Sequence, residues 1–345
     1  MVIHKMVGEE CNKTRSLWEE VFWEDSIQFT DYYFQHKAKL NTGYVIGEYP
    51  YNAMLFRTPY LLQIEEVQKE ISYIVGVATR KEHRKKGYMR TLLTHAFKEM
   101  YEEKQPFTFL MPANPAIYEP FDFRYVYQRD QWKMKNSQNE LRAAEIVCKK
   151  SLDANEVLDG IYTVSQIREE LPQLPIFEML ANYANTILEI RYSIFAHRDV
   201  AYYERQLEES KAQNGDIYVL FRQNEIQGFY LYAKEEEDVY IQELLKNNEE
   251  DLAYIEKTGQ KPIIMARIVH MEEMLKLVKS AKEIEVVIQV EDPWIKENEG
   301  IYNWKMGPWG SRMQRLEEVE KIDYQVHIGE LTTHLLKGVF LNEIV

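Results

Sequence analysis

The sequence predicts a mixed α/β protein built from two or three domains. Its 345 residues exceed the roughly 100–200 residues of an ordinary single domain. Strand-like apolar runs alternate along the chain with segments whose apolar residues recur at helical spacing. The apolar fraction of 45% is ordinary for globular domains with hydrophobic cores. We therefore expect several units, each with its own sheet and helices.

The first unit begins with helices and continues with strands. Aromatic residues recur at helical spacing within residues 10–39, which predicts one or two helices there. An apolar stripe from Met89 to Met100 predicts an amphipathic helix. Short polar segments between the early strands predict antiparallel hairpins. We expect this unit to end near residue 135. Its predicted strands are "GYVIGEY", "AMLFRTPYLLQI", "ISYIVGVAT", "FTFLM" and "RYVYQRDQWKM".

Two more units are predicted downstream. Residues 136–158 are polar and typical of a linker, and residues 216–244 predict a three-stranded meander. Gly259–Pro262 contains turn-forming residues and predicts a boundary to a third unit, which alternates strands and helices. The expected domains are residues 1–135, 136–258 and 259–345.

One segment departs from the acidic character of the chain. The protein has 42 Lys and Arg against 56 Asp and Glu, a formal net charge of −14. Within residues 79–93, however, six basic residues stand beside one Glu, between a predicted strand and the amphipathic helix. The N–H groups of a helix's first turn lack intrahelical partners and carry partial positive charge. Gly87 has no Cβ, which allows close backbone approach. The segment therefore predicts a pyrophosphate site. Its basic residues are Arg80, Lys81, Arg84, Lys85, Lys86 and Arg90.

The spacing in this segment distinguishes between known phosphate-binding loops. It fits neither GxxxxGK[ST] nor GxGxxG. The six residues Arg84, Lys85, Lys86, Gly87, Tyr88 and Met89 resemble the [RQ]xxGx[GA] coenzyme A loop of the GCN5-related N-acetyltransferases (GNAT). Met89 stands where that family usually has Gly or Ala. The resemblance implies that these six residues bind acetyl-CoA as co-substrate.

The resemblance extends along nearly the whole chain. "YIVGVATRKEHRKKGYMRTLL", "LMPANPAIYEPFDF", "MARIVHMEEML" and "VFLNEIV" resemble the Eis-type (enhanced intracellular survival) acetyltransferases. Such proteins combine a catalytic GNAT domain, a degenerate second GNAT domain and a C-terminal domain similar to sterol carrier proteins. In the second unit Glu249, Glu250 and Asp251 follow the meander, where the first unit has its basic loop. These carboxylates would repel a pyrophosphate, so we expect only the first unit to bind coenzyme A.

The resemblance also implies roles in catalysis. Backbone groups of Val77 and Thr79 would meet the acetyl group and the pantetheine arm. Tyr118, in "AIYEPF", would be the general acid; a tyrosine with an unperturbed pKa near ~10 is protonated at neutral pH. The α-carboxylate of Val345, with an unperturbed pKa near ~3.5, would be the base that accepts the amine proton.

The sequence says less about the acceptor of the acetyl group. In the resembling family the early helical region lines the acceptor pocket, which suggests Asp25, Trp23 and Phe22 as substrate-binding residues. Aromatic walls with a carboxylate suit a cationic amine. The expected function is acetyl transfer to a primary amine of a small cationic acceptor, such as an aminoglycoside or polyamine-like compound, by direct attack in a ternary complex. The alternatives are a protein lysine or N-terminal acetyltransferase and a non-catalytic acyl-CoA- or lipid-binding protein.

Composition excludes several other classes. The negative net charge argues against a nucleic-acid partner, and the absence of 18 consecutive apolar residues argues against a membrane helix. Two cysteines, Cys11 and Cys148, and an N-terminus without a signal peptide fit a reducing cytoplasm. The eight histidines show no HExxH or paired metal spacing, so no metal site is expected. The resemblance further implies a homo-oligomer.

Overall fold

The protein is described by a computed structural model that covers residues 1–135, 157–235 and 238–343. Most of the expected linker lies outside these residues. Three β-sheets with helices packed against them make up the described part, which confirms the mixed α/β class. None of the described helices has the length and apolarity needed to cross a membrane.

The helices are α1 Arg15–Val21, α2 Ile27–Tyr32, α3 Tyr88–Glu102, α4 Val164–Glu170, α5 Ile176–Arg191, α6 Val200–Ala212, α7 Met271–Lys276 and α8 Ile328–Leu335. The strands are β1 Ile3–Val7, β2 Thr42–Ile46, β3 Ala53–Ile64, β4 Val67–Thr79, β5 Phe107–Leu110, β6 Arg124–Met134, β7 Gly160–Thr163, β8 Ile194–Ala196, β9 Asp216–Arg222, β10 Glu225–Glu235, β11 Asp238–Lys246, β12 Ile255–Ile268, β13 Ile284–Glu291, β14 Gly300–Gly307, β15 Gly310–Leu316, β16 Tyr324–His327 and β17 Val339–Phe340.

The first sheet contains a strand from far downstream in the chain. Its order is β1-β2-β3-β4-β5-β12-β6, and β12 pairs antiparallel with β5 on one side and with β6 on the other. The expected boundary between residues 258 and 259 therefore falls inside a strand. In the pairing of β12 with β6, Gly259 directly follows one register shift and Pro262 directly precedes another. Glycine and proline inside a strand commonly occur at such irregularities.

Helix α3 covers one face of the first sheet. It begins at Tyr88, next to the residue predicted from its apolar stripe, and Leu92, Leu93, Phe97 and Met100 are all buried. These side chains pack against sheet residues in a core cluster that also contains Ile74. Burying one apolar stripe against a sheet is the main source of stability for such a helix.

The opposite face of the sheet is covered by α1 and α2. The region predicted as one or two helices contains both, preceded by a 3₁₀ turn at Gly8–Thr14 and followed by a π-helical turn at Tyr33–Lys37. Trp18 is buried and stacks on Tyr33 with ring centroids 4.2 Å apart. The core on this face continues into the second unit.

The second unit is built on the sheet β11-β10-β9-β7. Strands β9, β10 and β11 form the predicted meander. Helix α5 was not predicted; it buries Phe177, Leu180 and Leu188. Strand β8 does not join this sheet but pairs with β3 of the first sheet and with β17. The first and second units are therefore connected by main-chain hydrogen bonds as well as by side-chain packing.

The third sheet has the order β15-β14-β13-β16, and β16 runs parallel to β13. A fully buried ion pair between Arg267 and Asp292, 2.5 Å apart, links β12 to the segment after β13. The hydroxyl of Thr332, in α8, accepts a hydrogen bond from the backbone N–H of Ile268 at 3.1 Å. The third sheet is thus attached directly to the strand that completes the first.

Candidate functional site

A slot opens in the first sheet beyond the end of β5. Tyr73 lies opposite Phe109 in the parallel ladder of β4 and β5. Strand β5 ends one residue later at Leu110, whereas β4 continues to Thr79 while still paired with β3. The last residues of β4, including Val77, therefore extend past their neighbour on one side. Backbone N–H and C=O groups exposed on a strand edge can bind an extended ligand.

The basic loop connects this strand to the N-terminus of α3. Gly87 caps the helix in the left-handed region at φ 82°, a conformation that glycine adopts without steric cost. The first intrahelical backbone hydrogen bond runs from Thr91 N–H to Gly87 C=O at 3.0 Å. The N–H groups of Tyr88, Met89 and Arg90 consequently have no acceptor within the helix, and they carry its positive dipole end.

The basic side chains of the loop divide into two groups. Arg80 is held structurally, because it donates to the carbonyl of Tyr51 at 2.9 Å and pairs with Glu20. Arg84 donates to the carbonyl of Thr79 at 3.2 Å, and the exposed Lys85 and Lys86 follow it. Within the described residues none of these last three side chains forms an ion pair. Their positive charge is therefore available to an anionic ligand.

The space in front of Gly87 fits an approaching phosphate. A Cβ placed on Gly87 would have the Met1 methyl group, 4.0 Å away, as its nearest neighbour. A ligand can therefore reach the backbone at this position without meeting the protein. Free N–H groups, a helix dipole and unpaired cations around one open glycine form an anion site.

Tyr118 lies in the loop between β5 and β6, at the junction of two 3₁₀ turns, Pro115–Ile117 and Glu119–Phe121. Its side chain is half-buried and packs edge-on against Phe123 with ring centroids 5.9 Å apart. Burial raises the pKa of the Tyr118 phenol to about 12. The hydroxyl therefore carries its proton at neutral pH and can act as a donor.

One core cluster brings most of the predicted residues together. Val77, Tyr88, Met89 and Tyr118 all pack, half-buried, against the core between α3 and the first sheet. Trp294 of the third unit packs there as well, and the guanidinium of Arg90 lies 5.7 Å from the centre of its ring. The predicted strand end, loop, helix start and tyrosine thus share one part of the fold, and no sequence pattern placed Trp294 beside them.

The predicted acceptor residues occupy the turn after α1. The carboxylate of Asp25 accepts a hydrogen bond from the indole N–H of Trp18 at 2.9 Å. Phe22 packs on the same indole with centroids 4.7 Å apart, and the side chain of Trp23 is 74% exposed. Asp25 and Phe22 therefore support the core residue Trp18, and Trp23 projects into solvent.

A buried charge cluster lies on the α1–α2 side of the first sheet. Arg198 is 1% exposed and forms ion pairs with Glu243 and Glu343, each 3.0 Å long. Lys37 pairs with Glu209 at 2.6 Å nearby, and both are buried. Three carboxylates thus face two cations. No local motif predicted this cluster, because its members are brought together only by the packing of distant segments.

Tyr60 of β3 lies between the two halves of this cluster. Burial, together with the negative charges of Glu343 and Glu209, raises the pKa of its hydroxyl well above the ordinary value. Glu343 is also the last residue that the structure describes. Val345, the predicted base, lies outside the described residues.

Comparison with known proteins identifies the first unit. Residues 3–126 match the family model described as an acetyltransferase (GNAT) domain. No curated protein sequence matches the chain. Among solved structures, a conserved protein from Enterococcus faecalis V583 superposes with a TM-score of 0.72 at 14% identity, over 96% of this chain and 88% of that one.

Two more solved structures also superpose on nearly the whole chain. A GCN5-related N-acetyltransferase from Anabaena variabilis gives a TM-score of 0.70 at 15% identity, covering 96% of this chain and 89% of that one. Eis1 from Mycobacterium abscessus gives a TM-score of 0.67 at 12% identity, covering 97% of this chain and 90% of that one. At these identities the likeness establishes the fold, which is consistent with tandem GNAT-like domains.

The strand, loop and helix of residues 67–102, within a segment that matches the GNAT domain model, define an acetyltransferase domain. The chain is accordingly an acetyl-CoA-dependent acetyltransferase, as the basic loop predicted.

Proposed function

We propose that the protein transfers the acetyl group of acetyl-CoA to a primary amine of a small cationic acceptor by direct attack in a ternary complex. The observation that carries this proposal is the helix start at Gly87, with its open approach and free N–H groups beside Arg84, Lys85 and Lys86. A site of this kind holds the pyrophosphate of coenzyme A. Charge-assisted hydrogen bonds to phosphate are stronger than neutral ones.

The proposed chemistry follows from the slot beside β4. The pantetheine arm would enter between β4 and β12, where the backbone of Val77 and Thr79 would contact it and the thioester. The neutral amine attacks the thioester carbonyl carbon, the carbon–sulfur bond breaks, and the thiolate leaves. Tyr118 would give that thiolate a proton. The α-carboxylate of Val345 remains our proposal for the base that takes the amine proton.

The charge distribution supports a cationic acceptor. The α1–α2 side of the sheet carries the buried cluster in which Glu209, Glu243 and Glu343 outnumber Lys37 and Arg198. Its excess negative charge would attract an ammonium group. Because Asp25 and Phe22 lie against Trp18, we assign them a role in shaping the acceptor wall, with the exposed Trp23 at its rim. The aminoglycoside or polyamine class remains a proposal.

We also propose that the chain has the Eis-type arrangement. In this assignment residues 1–135 form the catalytic GNAT domain, residues 136–258 the degenerate one and residues 259–345 a sterol-carrier-like domain. The fold likeness to Eis1 over 97% of the chain supports it. The strand β12 would then be shared, since it begins before residue 259 and completes the first sheet. Homo-oligomers and a cytoplasmic location belong to the same proposal.

The test is a thiol-release assay with acetyl-CoA and a panel of amines. The panel contains aminoglycosides, linear polyamines, a lysine-containing peptide and neutral amines of similar size. We expect coenzyme A release with the small cationic amines and an N-acetylated product of matching mass. Activity confined to the lysine-containing peptide would show that the acceptor is a protein amine and not a small cationic amine. Tight acetyl-CoA binding without turnover on any amine would overturn the proposed reaction.

A further inference from the structure

The loop that carries Tyr118, residues 111–123, is bound at three consecutive positions by side chains from far downstream in the chain. Two of these side chains donate hydrogen bonds to backbone carbonyls of the loop, and the third places an imidazole nitrogen beside a loop carboxylate. The contacts are Trp294 Nε1 with the Pro120 carbonyl at 2.9 Å, Arg267 Nε with the Phe121 carbonyl at 3.0 Å and His327 Nδ1 with the Asp122 carboxylate at 3.2 Å. The backbone that follows Tyr118 is therefore held by residues outside the segment that matches the GNAT domain model.

Trp294 contacts the coenzyme A site as well as this loop. The guanidinium of Arg90 lies 5.7 Å from the centre of the indole ring, a distance at which a cation and an aromatic ring attract each other. Arg90 belongs to the first turn of α3, whose free N–H groups form the anion site. On the loop side, the ring of Phe121 packs against the indole with centroids 4.6 Å apart. One half-buried side chain thus contacts both the anion site and the loop of Tyr118.

The position of Trp294 is itself fixed by a buried polar network. Its backbone N–H donates to a carboxylate oxygen of Asp292 at 3.0 Å. Asp292 is fully buried, pairs with Arg267 and accepts a hydrogen bond from the Asn298 amide at 2.9 Å. Because an alternative arrangement would leave buried polar groups unpaired, such a network holds one conformation. The indole therefore stands on a rigid support, as a residue that positions other groups requires.

We infer that Trp294 is a positioning residue that couples acetyl-CoA binding to the placement of Tyr118. A pyrophosphate at the start of α3 orders the Arg90 side chain beside it, and the cation–π contact passes this order to the indole. The indole N–H holds the backbone at Pro120, two residues after Tyr118, so that the phenol is in place when the thiolate leaves. The role of Tyr118 as proton donor rests on the proposed function, whereas the coupling between the two segments does not.

Hydrogen exchange of the full chain, followed by mass spectrometry with and without saturating acetyl-CoA, tests the coupling without any acceptor. We expect acetyl-CoA to slow amide exchange at the start of α3 and in residues 115–123 of the wild-type protein. In Trp294→Leu the slowing at the helix start should remain, and the slowing in the loop should fall by about half or more. A role confined to packing would instead raise loop exchange equally with and without acetyl-CoA. That outcome, or a wild-type loop that does not respond to acetyl-CoA, would overturn the inference.

A second variant and a control complete this experiment. Arg90→Met removes the same contact from the exposed side of α3, so the loop should lose its response to saturating acetyl-CoA in this variant too. It decides the result if Trp294→Leu does not fold. Trp309→Leu replaces a tryptophan that is 95% exposed and should respond as the wild type does. A loop response that is lost equally in this control would contradict the assignment to Trp294.

Kinetics show whether the coupling reaches Tyr118. Trp294→Phe keeps an aromatic ring beside Arg90 but lacks the N–H that binds Pro120. With the most active amine of the panel above, this variant should lower kcat by about tenfold or more, because a misplaced reacting group slows the chemical step. The Kd of acetyl-CoA should change by less than about threefold, since the anion site is intact.

A double variant separates this inference from the proposed function. Adding Trp294→Phe to Tyr118→Phe should cause no further loss of kcat, because Trp294 acts through Tyr118. An unchanged kcat in Trp294→Phe, or two losses that multiply in the double variant, would overturn the positioning role. If Tyr118→Phe alone keeps full activity, or if no amine of the panel is acetylated, the proposed function is wrong, and the exchange experiment still decides the coupling.

Discussion

The indole ring of Trp18 lies against the backbone of Gly76, in the strand that carries the proposed acetyl site. A Cβ on Gly76 would stand 2.9 Å from the Trp18 ring and 3.0 Å from the ring of Phe56. Gly76 also has φ +60°, and it immediately precedes Val77. The same indole donates its N–H to Asp25. The turn after α1 is therefore coupled to the shape of β4 through one tryptophan.

The first prediction tests this close contact. Gly76→Ala should lower the free energy of unfolding by roughly 2–4 kcal/mol, because it combines a left-handed backbone with an overpacked core. Urea unfolding followed by circular dichroism measures the change. Gly259→Ala is the matched control, since its nearest neighbour would be 3.5 Å away and its cost should stay within about 0.5 kcal/mol. Equal stability of the two variants would contradict the prediction.

The second prediction concerns the basic loop. Arg84→Glu combined with Lys86→Glu should weaken acetyl-CoA binding by ~10-fold or more, because attraction to the pyrophosphate becomes repulsion at an exposed site. The loss should diminish as salt concentration rises. Calorimetry measures both effects. The control reverses Lys39 and Lys337, two exposed lysines without ion pairs in the described residues; a similar loss in that control would indicate a general charge effect.

The third prediction assigns a task to Tyr118. Tyr118→Phe should lower kcat by ~10²-fold or more while leaving acetyl-CoA affinity nearly intact, because positioned proton transfer is lost. A pKa of about 12 means that the phenol stays protonated up to at least pH 10. Wild-type activity should therefore not decline through Tyr118 ionisation between pH 8 and 10. Steady-state kinetics at several pH values measures both; unchanged turnover in the variant would remove Tyr118 from the mechanism.

The sequence predicted the parts of the fold whose signal is local. The stripe from Met89 to Met100 gave α3, and strand β6 lies at residues 124–134 as predicted. The loop was recognisable because an anion site needs cations, a glycine and a helix start in adjacent positions. For the same reason its residues were found together in the structure.

The features that were missed depend on contacts between distant residues. The position of β12 beside β5 follows from packing across about 150 residues of chain and leaves no local pattern. Gly259–Pro262 was assigned to a domain boundary because glycine and proline more often mark turns than strands. Arg198 pairs with residues 45 and 145 positions away, and nothing in its own segment indicates them.

The fourth prediction follows from the shared strand. A truncated protein of residues 1–135 should not fold independently, because β5 and β6 would both lose the strand that lies between them. We expect it to lack a cooperative thermal transition. The matched variant appends residues 255–268 through a flexible linker and should recover part of the transition. Cooperative unfolding of the 1–135 fragment alone would show that the first sheet does not need β12.

The last prediction concerns the buried ion pairs of Arg198. Arg198→Met should cost about 3–5 kcal/mol at pH 8, since Glu243 and Glu343 would remain buried without their cation. Burial already raises the pKa of the Glu243 carboxyl, and in the variant the loss of the Arg198 charge should raise it further above the unfolded value of ~4.3. A group whose folded pKa is raised favours folding at low pH and loses that contribution as pH rises. The loss in the free energy of unfolding should therefore shrink as pH falls from 8 to 5.

Lys98→Met is the control: it removes only an exposed pair and should leave the free energy of unfolding nearly unchanged at both pH values. Adding Glu243→Gln and Glu343→Gln to Arg198→Met should restore part of the stability at pH 8, because neutral amides replace uncompensated charges. Denaturant titrations at the two pH values measure all four proteins, and a loss in Arg198→Met that does not change with pH would contradict the assignment to buried charge.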